Sequence, residues 1–340
     1  MEQYQEATLT ATEVVPVTDV RLPSHAIPDS YVIHLTPFLI PGNFTIEGHV
    51  SIAINVMQDA NNITLNIKNI LIYENMVRLT KEGQVVKIEG HGYDEAREFY
   101  TVKGDIKSGQ YKLDIAFQAD LNDDLAGFYR SSYMNGNETR YIATSQMEAT
   151  DARRAVPCFD EPALKAKFQI NLGRIKSMSS ISNMPKMTEG LGMPDTDEYV
   201  WDKYEESLQM STYLLAFVVS DFQYRQGLQT ENGVEFRIWS RSQALADTEY
   251  ASVIGPLILQ YYEDYFKVPF PLPKQDMIAI PDFSAGAMEN WGLITYREVA
   301  LLHDPDTDSK SRRIYVSTVV AHELAHQWFG DLVTMKWWDE

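Results

Sequence analysis

From Tyr31 to about Tyr224, apolar and polar residues alternate in short runs separated by turn residues. The pattern is clear in Tyr31-Val32-Ile33-His34-Leu35, in His49 to Val56, Thr64 to Ile67 and Gln84 to Ile88, and again in Tyr111 to Phe117 and Phe168 to Leu172. A period of two, rich in β-branched residues, puts alternate side chains on opposite faces of a strand and predicts an antiparallel sheet or sandwich. Pro162-Ala163-Leu164-Lys165 reads as one turn ahead of a strand, and Tyr213 to Val219 as a further strand.

After Phe222 the pattern changes. A strand at Val234 to Trp239 leads to a helix from about Ala246 to Phe266, anchored by Val253, Leu257, Leu259 and Tyr262. Pro269-Phe270-Pro271-Leu272-Pro273 stops it, because proline neither donates nor tolerates a helical predecessor. Strands at Met277 to Ile280 and Gly292 to Tyr296 flank a glycine-containing loop. The polar stretch Asp304 to Ser309 can cap a second helix, from about Ser311 to Phe329. Val316, Val319, Val320, Leu324, Ala325 and Trp328 make that helix apolar on most sides, so burial is expected. Its β-branched residues lower its intrinsic helicity, and tertiary packing must supply the difference. There is no internal repeat.

Strand-rich and helix-rich stretches in succession give an α+β chain, and 340 residues exceed one average core, which predicts two domains. Apolar content of 44% provides ample core. The 48 acidic against 29 basic residues leave a net charge of −19, which argues against nucleic-acid binding and reads first as a solvated surface, with a field favouring cationic substrates, including a peptide's amino terminus, as the alternative. The one cysteine, Cys158, rules out an internal disulfide and reads as a small buried residue. No run of 18 apolar residues predicts a membrane span. Met1 to Thr18, polar and Thr/Val-rich with no apolar h-region, reads as a flexible lead-in or stalk rather than a signal peptide. Three sequons, at Asn43, Asn62 and Asn137, lean toward a plasma-membrane or extracellular protein, with a cytoplasmic location as the alternative.

The chemistry concentrates in His322-Glu323-Leu324-Ala325-His326. Residues four apart on a helix share a face, so both imidazoles can grip one Zn²⁺ at roughly 2.0–2.1 Å while Glu323 reaches a water on the metal as general base. At average composition, accident produces such a motif in a chain this long about once in a hundred. Asp331 reads either as a solvated turn cap or as a group orienting a ligand histidine. A second constellation is Gly286-Ala287-Met288-Glu289-Asn290, flanked by Ser284 and Trp291-Gly292; its small residues let an extended backbone approach a strand edge beside a negative charge. A third, Gln146-Met147-Glu148-Ala149-Thr150-Asp151-Ala152-Arg153-Arg154 followed by Pro157 to Pro162, reads by itself as a charged surface loop.

In this order and spacing, with Gly292 to Glu298 and His322 to Trp338, the three segments resemble the aminopeptidase N family of zinc aminopeptidases from about Arg21 onward. The resemblance implies a lead-in over residues 1–20, an antiparallel β-domain over 21–223, and the start of a thermolysin-like catalytic domain over 224–340. It implies one Zn²⁺ held by His322 and His326, with Glu323 as base. Glu289 and Glu148 would bind the substrate's α-ammonium, which is largely protonated near neutrality. Backbone at Gly286 and Ala287 would hold the substrate main chain, and Met288 and Gln146 would line the pocket for its first side chain. The neutral amide of Gln146 implies neutral or basic first residues. The family's third zinc ligand, a glutamate about nineteen residues beyond His326, and its oxyanion-stabilising tyrosine fall past Glu340, so the chain itself is expected to bind zinc poorly and turn over little. The implied partners are peptides with a free N-terminus; the full-length protein could pair as a homodimer. The alternative reading is a catalytically incomplete cell-surface protein that binds peptides or partners.

Overall fold

Two β-systems meet along one seam, and the computed structural model describes residues 19–194 and 196–339 of them. The expected lead-in lies outside the described residues except for its last two positions. In the first system Ala26–Pro37 pairs antiparallel with Thr45–Val56, which pairs antiparallel with Gly109–Asp120. The alternation read from the sequence becomes burial: Val50, Ile52, Ile54 and Val56 point into the core. The largest sheet departs from a wholly antiparallel arrangement at one place, where Ala26–Pro37 runs parallel to Lys167–Ile175. A four-stranded sheet, ordered Gly127–Asn135, Glu138–Gln146, Phe217–Ser220 and Ser179–Ser182, carries Gln146 at the end of its second strand.

The expected strand at Tyr213 to Val219 forms only from Phe217; Thr212–Leu214 is a short 3-10 turn instead. The cause is local hydrogen bonding. Asn183 donates to the Leu214 carbonyl at 2.7 Å and accepts from the Ala216 N–H at 3.0 Å, so a side chain does the work of a ladder there. Cys158 is buried, as expected, and its backbone bridges to Asn66.

The second system is a five-stranded sheet ordered Gln223–Gln226, Glu235–Ser240, Lys274–Ile280, Leu293–Arg297 and Ala287–Met288. Its inner pairs are parallel and its two outer pairs antiparallel. Lys274–Ile280 is buried at every position, as a strand covered on both faces must be. Three helices accompany the sheet: α1 (Glu249–Phe266), α2 (Glu298–Leu301), which has no counterpart in the sequence reading, and α3 (Lys310–His326).

Helix α1 buries Ala251, Ser252, Gly255, Pro256 and Leu259, whereas the expected anchors Val253 and Leu257 are exposed. Small residues let α1 lie close on Phe236, leaving the larger aliphatic side chains outward. Pro256 has no N–H to offer the Ser252 carbonyl, and that oxygen instead accepts the Leu228 N–H at 3.1 Å. Helix α3 is capped by the Ser309 hydroxyl, which accepts the Arg312 N–H. It is not buried all round: Val316, Val320, Glu323 and Leu324 form the buried stripe, while Ile314 and Tyr315 face outward. It ends at His326, three residues before the expected Phe329, because the chain turns at Phe329-Gly330-Asp331.

A buried cation joins the two systems. Lys274 Nζ donates to the Ser182 carbonyl at 2.6 Å and the Gly292 carbonyl at 2.7 Å, and pairs with Asp276 at 2.8 Å. Burial pushes the Lys274 ammonium down to about 8, against the opposing pull of Asp276. Burial would raise the Asp276 carboxyl, but Lys274 and Arg237 outweigh it and hold it below the usual range.

His34, on Ala26–Pro37, is lowered to about 4, first by burial and then by His49 and Lys203. The unfolded chain therefore takes up a proton below about pH 6.5 that the folded protein refuses. Stability from this residue is lost as pH falls from about 6.5 toward 4. Denaturant titrations from pH 7 to 4 should show His34→Gln gaining on the parent as pH drops; a pH-independent difference would contradict the assignment.

Candidate functional site

Helix α3 delivers His322, Glu323 and His326 to the seam. One turn apart, the two imidazoles present their Nε2 atoms to each other at 3.1 Å, with ring planes 84° apart. The Nδ1 of His326 lies 2.9 Å from the Phe329 carbonyl, which can only accept, so Nδ1 carries the proton and Nε2 keeps a free lone pair. Donors bound tetrahedrally to one zinc stand about 3.3 Å apart, close to the spacing of this pair. Among the described residues no further side chain joins the pair to make a group of three metal-binding residues. Tyr262 on α1 donates to the Ala321 carbonyl at 3.0 Å, bracing the backbone just ahead of His322.

Glu323 is buried beside the pair, and its carboxyl is pushed up to about 8, first by burial and then by Glu289 and Glu148. Glu289 is also buried, at the turn that follows Ala287–Met288, and its Oε1 lies 3.8 Å from His326 Nδ1. Glu148, which follows the strand end at Gln146, is exposed at its surface. Partial removal from water raises its carboxyl, Glu289 raises it further, and His326 opposes. Three separate segments therefore bring Glu148, Glu289 and Glu323 into one electrostatic neighbourhood with the histidines. A cluster of carboxylates of that kind repels itself and attracts cations.

The remaining residues singled out from the sequence take different positions. Ala287–Met288 is the outer strand of the five-stranded sheet, pairing on one side only, with Gly286 exposed just before it. Its free edge can take an extended peptide. Met288 points the other way, into the core, at 1% exposure. Gln146 is buried, with Nε2 3.5 Å from the Glu148 carbonyl and Oε1 without a partner among the described residues. Asp331 is not a solvated cap, and its carboxylate bonds neither histidine; its backbone N–H donates to the His326 carbonyl at 3.1 Å, while His326 Nδ1 is committed to Phe329. It is fully buried with both carboxyl oxygens unpartnered among the described residues, and burial raises its carboxyl well above the ordinary range.

Several supporting residues belong to no motif. Gln327, fully buried, donates to the Glu289 carbonyl at 2.9 Å and accepts from the Gly292 N–H at 3.3 Å. Asn183 donates to the Trp291 carbonyl at 3.0 Å. Tyr213 donates to the Gly330 carbonyl and Lys165 to the Asp331 carbonyl, both at 2.9 Å. The sequence carried one usable signal for Gln327: a polar residue continuing the apolar stripe of Val316, Val320 and Leu324.

Comparison with known proteins adds an independent line. The Peptidase M1 N-terminal domain model matches residues 27–214, and the Peptidase family M1 domain model matches residues 250–340. Aminopeptidase N of Homo sapiens is 44% identical over 334 residues, covering 94% of this chain and 34% of that protein. Aminopeptidase N of Bos taurus is 42% identical over 342 residues, with 94% and 34% covered. Aminopeptidase M1-C of Oryza sativa subsp. japonica is 42% identical over 318 residues, with 94% and 35% covered. The chain thus spans about a third of the length of the curated relatives it matches.

The turn after Glu289 depends on Gly292, whose φ is +80° and where a Cβ would stand 2.5 Å from the Asn183 carbonyl oxygen. Gly292→Ala should therefore cost about 2 kcal/mol or more, read as a lower denaturation midpoint. Parental stability in that variant would show that the seam yields where the geometry says it cannot.

Proposed function

The chain belongs to peptidase family M1, and on that premise we propose that it carries the amine-binding and proton-handling groups of a zinc aminopeptidase. One observation carries the reading: the paired Nε2 atoms of His322 and His326 lie beside a carboxylate set, and Glu289 is 3.8 Å from the second histidine. Zinc peptidase chemistry by itself requires only the histidines and a base. Carboxylates held at a fixed offset from them turn a general hydrolase into one that measures from the amino terminus.

Each group then has a defined task. His322 and His326 would hold Zn²⁺ through Nε2, the second oriented by its Nδ1–H to Phe329. Zn²⁺, when bound, supplies Lewis acidity that polarises the scissile carbonyl and makes water a better nucleophile near neutral pH. With a cation at the histidines offsetting the burial and repulsion that raise it, the Glu323 carboxylate would take the proton from the attacking water and return it to the leaving amine. Glu289 and Glu148 accept hydrogen bonds from the substrate's α-ammonium, whose charge relieves their mutual repulsion. The free edge at Gly286 and Ala287 aligns the substrate backbone, and Gln146 borders the first side chain with a neutral amide. Met288 supports this wall from the core side.

The division into a β-domain to residue 223 and a catalytic portion from residue 224 forms part of the same proposal. We also place the protein outside the cell or on its surface. Asn43 and Asn137 are exposed and can accept glycan, and Asn62 is half-buried with its Oδ1 bonded by Thr64. Among the described residues no helix is long and apolar enough to cross a membrane.

Two measurements test these assignments. In the zinc-loaded holoenzyme Glu323→Gln should lower kcat by about 10²–10⁴-fold while metal analysis finds zinc unchanged, and Glu289→Ala should erase the preference for free over N-acetylated peptides. If the parent cleaves acetylated peptides as fast as free ones, the exopeptidase reading fails. For location, the protein from a secretory host should gain mobility on enzymatic deglycosylation and lose that shift when Asn43, Asn62 and Asn137 are all changed to Gln; an unshifted parent argues for the cytoplasm.

A further inference from the structure

Gln327 closes helix α3 one residue after His326, and both ends of its side chain are used. Nε2 donates to the Glu289 carbonyl at 2.9 Å, with a longer contact of 3.4 Å to the Glu323 carbonyl of its own helix. Oε1 accepts from the Gly292 N–H at 3.3 Å. One side chain thus grips both ends of the turn Glu289 to Gly292 from the helix that carries His322, Glu323 and His326. Asn183 of the first β-system and Lys274 of the second hold the Trp291 and Gly292 carbonyls of the same turn. Those two contacts fix the turn relative to the β-sheets, whereas Gln327 fixes it relative to the histidines. The side chain is fully buried, so water cannot take over either bond if the amide is removed.

We propose that Gln327 is a positioning residue that sets the distance between the Glu289 carboxylate and the histidine pair, and with it the register at which a peptide's α-amine selects the first peptide bond. The inference rests on the aminopeptidase reading above. Gln327 does not touch the substrate; it acts through the backbone of Glu289. Misplacement of a binding group by about 1 Å can cost up to about 100-fold in rate, and here the loss falls on substrates that use the amine site. A substrate without a free amine does not engage Glu289 and so does not sense the shift.

The test is the ratio of kcat/KM for a free-amine peptide to that for its N-acetylated counterpart, in the zinc-loaded holoenzyme. Gln327→Met keeps the length of the side chain and removes both bonds. We expect that ratio to fall about tenfold or more, with KM for the free peptide rising, the acetylated rate near the parent's and zinc content unchanged. Calorimetric binding of the same two peptides to zinc-free protein supplies a readout independent of turnover, and the preference for the free amine should weaken there too. An equal loss on both peptides, or an unchanged ratio in a folded variant, overturns the proposal. Should Gln327→Met fail to fold, Gln327→Glu, equal in size and able to keep one bond, carries the same measurement, with an intermediate ratio expected and a parental one overturning the assignment. A parent with no preference for free amines would defeat the aminopeptidase reading, whereas a selective parent with selective variants defeats the positioning role alone.

Discussion

Like charge gathered at one seam is the constraint to which the rest of this structure answers. Glu148 arrives from the end of a strand in the first β-system, Glu289 from the outer edge of the second, Glu323 from a helix and Asp331 from the turn beyond it. Burial and mutual repulsion raise Glu148, Glu323 and Asp331 together. No local preference in the chain would assemble such a set, because carboxylates left in water stay apart and hydrated. The favourable terms must come from elsewhere, namely the apolar cores of both sheets, which run together as one contiguous cluster beneath the site.

The seam itself is polar and specific. Lys274 donates to a carbonyl on each side of it and is neutralised by Asp276, which Arg237 and Trp239 also engage. A buried ion network of this sort adds little net stability over an apolar replacement, but each bond fixes a direction that apolar packing would leave soft. Asn183 works similarly: it satisfies the backbone where the expected strand fails to form at Leu214 and Ala216, and holds Trp291 with the same side chain. An irregularity in the first β-system is thus the point at which it grips the turn carrying Glu289.

Much of the fold could be read from periodicity, and the misreadings share a cause. Alternation marked Ala26–Pro37, Thr45–Val56 and Lys167–Ile175 because one face of each is buried, so the apolar period is visible. Helix α1 misled because apolar size is a poor guide where small residues make the contact: Gly255 and Ser252 face the sheet, and Leu257 does not. At the site, His322, Glu323 and His326 were legible because a helix fixes their relation within five residues. Glu289 and Glu148 became legible only through resemblance, since their proximity to the histidines is a property of sheet order and not of spacing. Lys274 and Asn183 stayed hidden because a buried polar side chain differs from a surface one only in its tertiary partners, whereas Gln327 showed only as a polar residue continuing an apolar stripe. Asp331 was misjudged for the same reason: a lone aspartate after a helix gives no sign that it will be fully buried.

The arrangement also explains why an amine ruler needs more than one carboxylate. On the proposed reading two cations share the recess, a divalent ion at the histidines and the substrate's ammonium at Glu289, and they repel each other. Glu289 lies 3.8 Å from His326, so a single carboxylate there would be drawn on by both. Glu148, exposed and contributed by the other β-system, adds a second negative charge that acts on Glu323 and feels both Glu289 and His326. Burial and then Glu289 raise the Glu148 carboxyl, and positive charge entering between the two acids offsets that repulsion. The two binding events are then linked through the carboxylates they share, and by reciprocity each must alter the affinity of the other. The size of that linkage falls off with the separation of turn and helix, and the buried bonds from Gln327 tie both ends of the turn to that helix.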